Sequence, residues 1–242
     1  MTTPELPAPK LRALAPDLWE AELHLQEGMH LRMRMTVVRR ANGALWLHSP
    51  IRIDEALAGE LAALGEVRDI LASNRFHRRF AASAKQRYPG AKLWAAPGLA
   101  QKKPQIPFDA TLGEDTDWGG ELQGLFLAGA PAWSEHVFFH PASRTLICTD
   151  LVFNIRDESH GLTRFMYRAF GMWRRFGPNR LWRWLPKDRA ALAASLECML
   201  AWDIRRVVMA HGDPVELEGP AQLRAALTRL LPGPAAARRG GA

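Results

Sequence analysis

Val67-Arg68-Asp69-Ile70-Leu71-Ala72-Ser73-Asn74-Arg75-Phe76-His77 is the stretch on which the reading of this sequence turns. Val67–Ala72 is a short β-branched and apolar run, which argues for a strand, and it stops at the polar cluster Ser73-Asn74-Arg75. Two later apolar runs end in the same manner, residues 145–149 in Asp150 and residues 206–210 in His211. In open α/β sheets ligands bind in the crevice beyond the carboxyl ends of the strands. Asn74, His77, Asp150 and His211, far apart in sequence, can therefore meet at one point.

Outward from this stretch the elements fall into order. Residues 18–25 alternate imperfectly, and residues 30–38 place Leu31, Met33, Met35 and Val37 on one face of a strand. Asn42-Gly43 is a strong hairpin signal leading to a strand over 44–48, which ends at Ser49-Pro50. Asp54 caps a helix over Glu55–Leu64 that stops at Gly65. A helix over 77–87, a strand over 92–96 and an irregular loop over 98–118 follow. Strands are expected at 121–127, His136–His140 and 145–149, with Pro141-Ala142-Ser143-Arg144 as a hairpin turn. A basic, aromatic helical region covers 161–184. Asp188 starts a helix to Trp202, and a strand over 206–210 and a helix over 221–231 close the chain. Strands first and βα units afterwards imply sheets covered by helices. The expected fold is α/β, a four-layer αββα sandwich in one domain over residues 10–232, with flexible termini at 1–9 and 233–242.

With 242 residues, 48% of them hydrophobic, one large core suits the length better than two small ones. No window holds the roughly 18 uninterrupted apolar residues that span a bilayer. The first nine residues lack the basic start and apolar stretch of a signal peptide, so a cytoplasmic location is expected. Cys148 and Cys198 sit in apolar runs without metal-type spacing and read as two reduced core thiols. A net charge of +7 favours anionic partners, whether phosphorylated metabolites, nucleic acid or an acidic membrane surface.

The polar residues each have a structural alternative. Asp150 precedes Leu151-Val152-Phe153 and reads as buried, so it must find a cation or several donors. His211, in Ala210-His211-Gly212-Asp213, and His77 can equally be hydrogen-bonded structural histidines. His136, Phe138 and His140 share one strand face, opposite Val137 and Phe139, and the apolar neighbours do not decide which face is core.

These residues carry a resemblance. Ile70 to Arg79 stands where metallo-β-lactamase-like hydrolases carry their HxHxDH metal motif. Glu135-His136-Val137-Phe138-Phe139-His140-Pro141, leading to Thr149-Asp150-Leu151-Val152-Phe153, resembles the superfamily's hairpin and bridging aspartate. Val207-Val208-Met209-Ala210-His211-Gly212 resembles its last strand and final histidine. More closely, the chain is similar to an uncharacterised bacterial and plant family of that superfamily, a domain of unknown function. Met35-Thr36-Val37-Val38-Arg39, Leu45-Trp46-Leu47-His48-Ser49-Pro50, Ser73-Asn74-Arg75-Phe76-His77 and Phe138 to Ile147 carry this likeness. It implies the αββα fold. Yet Asn74, Phe76, Arg78 and Arg79 stand at the four polar motif positions, and Ala130-Pro131-Ala132-Trp133-Ser134 replaces the loop that supplies another histidine. Only Asp150 and His211 match, so the two-metal site of the superfamily cannot form.

What the resemblance implies instead is one of two states. In the first, His77, Glu135, Asp150 and His211 hold one zinc, iron or manganese ion and the protein is a hydrolase of an anionic or ester-like small molecule. Asn74 then donates to a developing oxyanion, Arg75 or Arg79 steers the substrate, and Asp213 or Asp188 serves as base. In the second, no metal binds and Asp150 closes a polar network, leaving an inactive anion-binding or membrane-surface protein. The segment 161–184 reads first as a lid packed on the sheet, then as a peripheral membrane contact, and last as a nucleic-acid surface.

Overall fold

Strands β1 (Arg12–Ala15), β2 (Leu18–Glu27), β3 (Met29–Arg39) and β4 (Leu45–His48) form an antiparallel meander. Its last turn is the expected one. Gly43 takes a left-handed φ of 80°, and Asn42 Oδ1 accepts the Ala44 amide at 3.0 Å. The computed structural model describes residues 8–113, 116 and 118–231. Of the residues read as flexible termini only Ala8 and Pro9 are among them.

From β4 the chain continues as parallel βα units. Helix α1 (Glu55–Leu64) carries it to β5 (Val67–Ala72), α2 (Ala81–Arg87) to β6 (Lys92–Ala95), and α3 (Leu99–Lys102) to β7 (Ala110–Thr111). Asp54 Oδ1 caps α1 through the Leu57 amide at 2.8 Å. The first sheet thus runs β1 to β7 in sequence order. A second sheet begins with β8 (Gln123–Phe126), β9 (His136–His140) and β10 (Thr145–Ile147). The chain then leaves it through β11 (Phe153–Asn154), α4 (Gly161–Ala169), β12 (Phe176–Gly177) and α5 (Arg189–Leu200). It returns as β13 (Arg206–Val208) and β14 (Val215–Glu216), and α6 (Pro220–Leu227) is the last helix described. The second sheet has the order β14-β13-β10-β9-β8, with β10 and β13 parallel.

Three apolar layers make this a four-layer αββα sandwich. Leu18, Val38, Trp46 and Leu71 of the first sheet pack on Phe138 and Ile147 of the second. The outer face of the first sheet buries Val37, Leu47 and Ile70 against Leu57 and Leu61 of α1. That of the second buries Val137, Phe139 and Val207 against Leu192 and Leu196 of α5 and Leu223 of α6. Both faces of His136–His140 are therefore core, which resolves the ambiguity of that strand: Phe138 points between the sheets and Phe139 toward the helices.

Several expectations need correction. The helix expected from His77 begins at Ala81, because Asn74 Oδ1 takes the amides of Phe76 and His77 at 2.8 and 2.7 Å and holds 73–80 in turns. The loop over 98–118 contains α3 and β7. The helix expected over 161–184 ends at Ala169, since Gly171 (φ 74°) and Arg174 (φ 49°) both turn left-handed. The chain then forms β12 and a 3-10 turn over Arg180–Arg183, capped by Asn179. Cys148 is a buried thiol as expected, but Cys198 lies exposed on α5. Among the described residues no helix is long and apolar enough to cross a membrane. In the basic aromatic segment Tyr167 and Trp182 are buried, whereas Phe165 and Trp184 face solvent.

Candidate metal centre

The three strands that end in polar residues deliver them to one place. β5 leads into the turn bearing Asn74 and His77, β10 into Asp150, and β13 into His211. His77 Nε2 lies 3.3 Å and His211 Nε2 3.6 Å from Asp150 Oδ1, with the imidazole centroids 4.9 Å apart. Among the described residues these three form a group whose candidate ligand atoms lie within 4.8 Å of one another. His77 and Asp150 are buried, and the His211 side chain is 12% exposed, so the group is open on one side.

Neighbouring groups fix how each member points. His211 Nδ1 is 2.6 Å from the Arg32 carbonyl oxygen, which can only accept, so Nδ1 carries the hydrogen. Its Nε2 then presents a lone pair to Asp150. His77 Nδ1 is 2.7 Å from Ser49 Oγ, a hydroxyl that can donate to it while Nε2–H donates to Asp150, or accept from it and free Nε2 for a cation. Ser49 sits in the left-handed region at φ 55°, an unusual conformation for a non-glycine residue, which places its hydroxyl beside the ring. Gly212 has φ 90°, and a Cβ there would stand 2.4 Å from the Asn154 carbonyl oxygen. Only glycine lets the His211 turn lie against β11.

Beneath the cluster lies a carboxylate with another task. Glu135 is fully buried and its Oε1 accepts the backbone amides of Thr149, Asp150 and Leu151 at 2.8, 2.9 and 3.2 Å. Asn74 Nδ2 donates to Asp150 Oδ2 at 2.7 Å, to Thr149 Oγ1 at 2.8 Å and to Glu135 Oε2 at 3.2 Å. Trp182 Nε1 donates to the Asp150 carbonyl at 2.7 Å.

The ionisation tendencies follow from this packing. Burial works against a charged Asp150, but the charge and hydrogen bond of His77, with His211 and the Asn74 amide, outweigh it and hold the carboxyl below its usual range. Burial likewise opposes a protonated His77, and Asp150 overcomes it, raising that group. For His211, burial and then the charge of His77 push the pKa down to about 4. Burial first and Asp150 second push Glu135 up, against its backbone donors.

A divalent cation fits these donors. Without one, a neutral His211 directs a lone pair at the same carboxylate oxygen that His77 approaches, an electrostatically poor arrangement. A cation among the three atoms turns all of them into ligands. The partners behind them, Ser49 and the Arg32 carbonyl, orient imidazoles as second partners do around bound metals. Two imidazoles and one carboxylate suit zinc, iron or manganese.

The remaining residues expected at the site are placed as follows. Glu135 lies under the cluster, its oxygens turned to backbone amides. Asn74 touches Asp150, but its amide hydrogens are committed to Asp150, Thr149 and Glu135, so none is free for an oxyanion. Arg75 turns away, donating to the Pro97 carbonyl at 3.3 Å. Arg79 lines a cleft of about 580 Å³ together with Arg78, Lys103, His77, Asp150 and His211. Asp213 is paired with Arg32 at 2.7 Å, and Asp188 caps α5 through the Ala191 amide. Neither of these two belongs to the His77–Asp150–His211 group.

Ser49, Arg32 and Arg34 were not singled out in the sequence. Arg34 is 2% exposed and grips the His211 loop, donating to the carbonyls of Met209 (2.9 Å) and Gly212. It also pairs with Glu20 at 2.6 Å and Glu22 at 2.7 Å. The signal was present as complementary charge on adjacent strands, since Glu22 sits directly opposite Arg34 in the β2–β3 register.

A family profile described as "Domain of unknown function (DUF4336)" matches residues 26–170. No curated protein matches the chain. Among solved structures, a metallo-β-lactamase from Hirschia baltica is 13% identical at a TM-score of 0.62, covering 93% of this chain and 99% of that one. The metallo-β-lactamase FIM-1 from Pseudomonas aeruginosa, in its mono-zinc form, is 15% identical at 0.62, covering 93% and 97%. The metal-soaked flavodiiron core Flv1 from Synechocystis sp. PCC6803 is 14% identical at 0.63, covering 92% of this chain and 60% of that one. The fold is thus the metallo-β-lactamase fold, reached at low sequence identity.

Proposed function

The chain belongs to the DUF4336 family, a domain of unknown function, and from that premise we propose a mononuclear metal-dependent hydrolase acting on an anionic, ester-like small molecule. The observation that carries this reading is the convergence of two Nε2 atoms and one carboxylate oxygen, each backed by its own hydrogen-bond partner, at the floor of a basic cleft. Such a cation, when bound, supplies Lewis acidity that polarises a scissile carbonyl or phosphoryl oxygen and acidifies water.

The chain's own residues do the rest. His77, Asp150 and His211, which line the cleft, would hold the ion. Asn74 fixes the second oxygen of Asp150, so that Oδ1 faces the imidazoles. Glu135 fastens the 149–151 backbone behind them and acts as a positioning residue. Arg78 and Lys103, with Arg79 in its ion pair with Glu27, bring positive charge to the cleft and draw an anionic group toward the ligands.

The test is hydrolysis of small aryl esters and aryl phosphates by chelator-treated protein, before and after zinc, iron or manganese is added. Activity should appear only with metal and fall at least ~100-fold in His77→Ala, because the ion's contribution is several kcal/mol of barrier. Hydrolysis indifferent to both chelator and His77→Ala contradicts the reading.

A further inference from the structure

A second cleft opens on Asp150 and His211. About 260 Å³ in volume, it shares Leu31, Asp150 and His211 with the basic cleft, and its remaining walls are almost wholly apolar. Phe153, Ile155, Met166, Phe170, Met172 and Leu181 supply most of them, and the polar groups of Thr163, Tyr167 and Asn179 in the same lining are turned to backbone partners. Met166 and Phe170 come from α4 and the turn after it, and Leu181 from the 3-10 turn over Arg180–Arg183. The segment that breaks its helix at Gly171 thereby walls a pocket beside the candidate ligands.

The two clefts differ in chemistry and meet at the candidate metal ligands. On one side stand Arg78, Lys103 and Arg79, the last ion-paired with Glu27; on the other, a mainly apolar wall whose few polar groups already have partners. Small-molecule sites combine apolar walls with a few placed polar groups, and here the two kinds are separated on either side of Asp150 and His211. We infer that the substrate is an amphiphile, with an apolar acyl or alkyl chain in the 260 Å³ pocket and an anionic group on the basic side. The ester-type bond between the two parts then lies over His77, Asp150 and His211. This inference rests on the hydrolase reading for the bond that is cut, but the pocket's preference for a chain can be measured without metal.

The experiment is calorimetric titration of chelator-treated full-length protein with n-alkylphosphonates from methyl to decyl, each below its micelle concentration. The phosphonate stands in for the anionic group and cannot be hydrolysed as an ester. Affinity should rise about threefold to fourfold per added methylene until the pocket is filled, the gain expected for burying a CH₂. Met172→Trp, which fills the pocket, should flatten that rise while keeping its far-ultraviolet dichroism and melting temperature close to wild type. Should that variant fail to fold, Leu181→Trp fills the same pocket from another wall. Arg79→Glu with Lys103→Glu should lower affinity for every chain length by a similar factor.

Affinity independent of chain length overturns the inference, as does an identical rise in the folded filled-pocket variants. If either occurs while metal-dependent hydrolysis of small esters persists, the amphiphile falls and the hydrolase stands. A chain-length dependence lost on filling the pocket supports the inference even if no metal binds, in which case the hydrolase reading fails alone.

Discussion

Glu135→Ala is expected to destabilise the protein by about 3–6 kcal/mol, the cost of leaving several buried donors without an acceptor. The side chain is fully buried and accepts three consecutive backbone amides, of Thr149, Asp150 and Leu151, and also meets the Asn74 amide. Alanine offers nothing to these buried donors. A domain of this kind is stable by only about 5–15 kcal/mol, so the loss is a large share of the total. Denaturant unfolding measures it as a shift in midpoint at constant slope. Glu135→Gln should lie between the two, because its carbonyl still accepts while its NH₂ faces other donors. A loss below about 1 kcal/mol contradicts this role. Were Glu135 instead a metal ligand, the alanine variant would lose metal and keep its stability.

Arg34→Met should cost about 3–5 kcal/mol and weaken metal binding together. The guanidinium is 2% exposed and stands between Glu20 and Glu22 while holding the carbonyls of Met209 and Gly212 on either side of His211. Taking it away leaves two poorly solvated carboxylates without their common partner and frees the loop that aims an imidazole at Asp150. The two effects can be separated. Glu22 keeps Arg32 as a partner, so the carboxylate most affected is the buried Glu20, left with only the exposed Arg12. Adding Glu20→Gln to Arg34→Met should therefore recover part of the stability. It should not recover metal affinity, because the loop is still free. Full recovery of both would mean that Arg34 acts only through charge balance.

The sequence carried the layers of this fold because its apolar periodicity is continuous and the turn chemistry agrees with it. Asn42-Gly43, Asp54 and Gly65 punctuate where the structure does. It misread places where a side chain competes with the backbone: Asn74 unwinds the expected start of α2, and Gly171 divides a segment whose aromatic and basic residues suggested one long helix. Asp150, His77 and His211 were legible because each follows an apolar strand, and strand ends gather polar residues for a reason. Their supports were not. Ser49 looks like a strand terminator, the Arg32 carbonyl has no side-chain signature, and the role of Glu135 depends on three amides fourteen to sixteen residues away. A carboxylate beside candidate ligands reads as a further ligand until its hydrogen bonds are seen.

The most direct test of the metal centre is elemental analysis with calorimetric zinc titration of untagged protein, comparing wild type with Asp150→Ala and His211→Ala. The account predicts close to one metal ion per wild-type chain, and none retained by either variant, each still folded by circular dichroism. A wild-type protein that takes up no zinc, iron or manganese, or variants that bind as tightly as wild type, would contradict it. In the first case, the His77–Asp150–His211 group would be a polar network closed by protons.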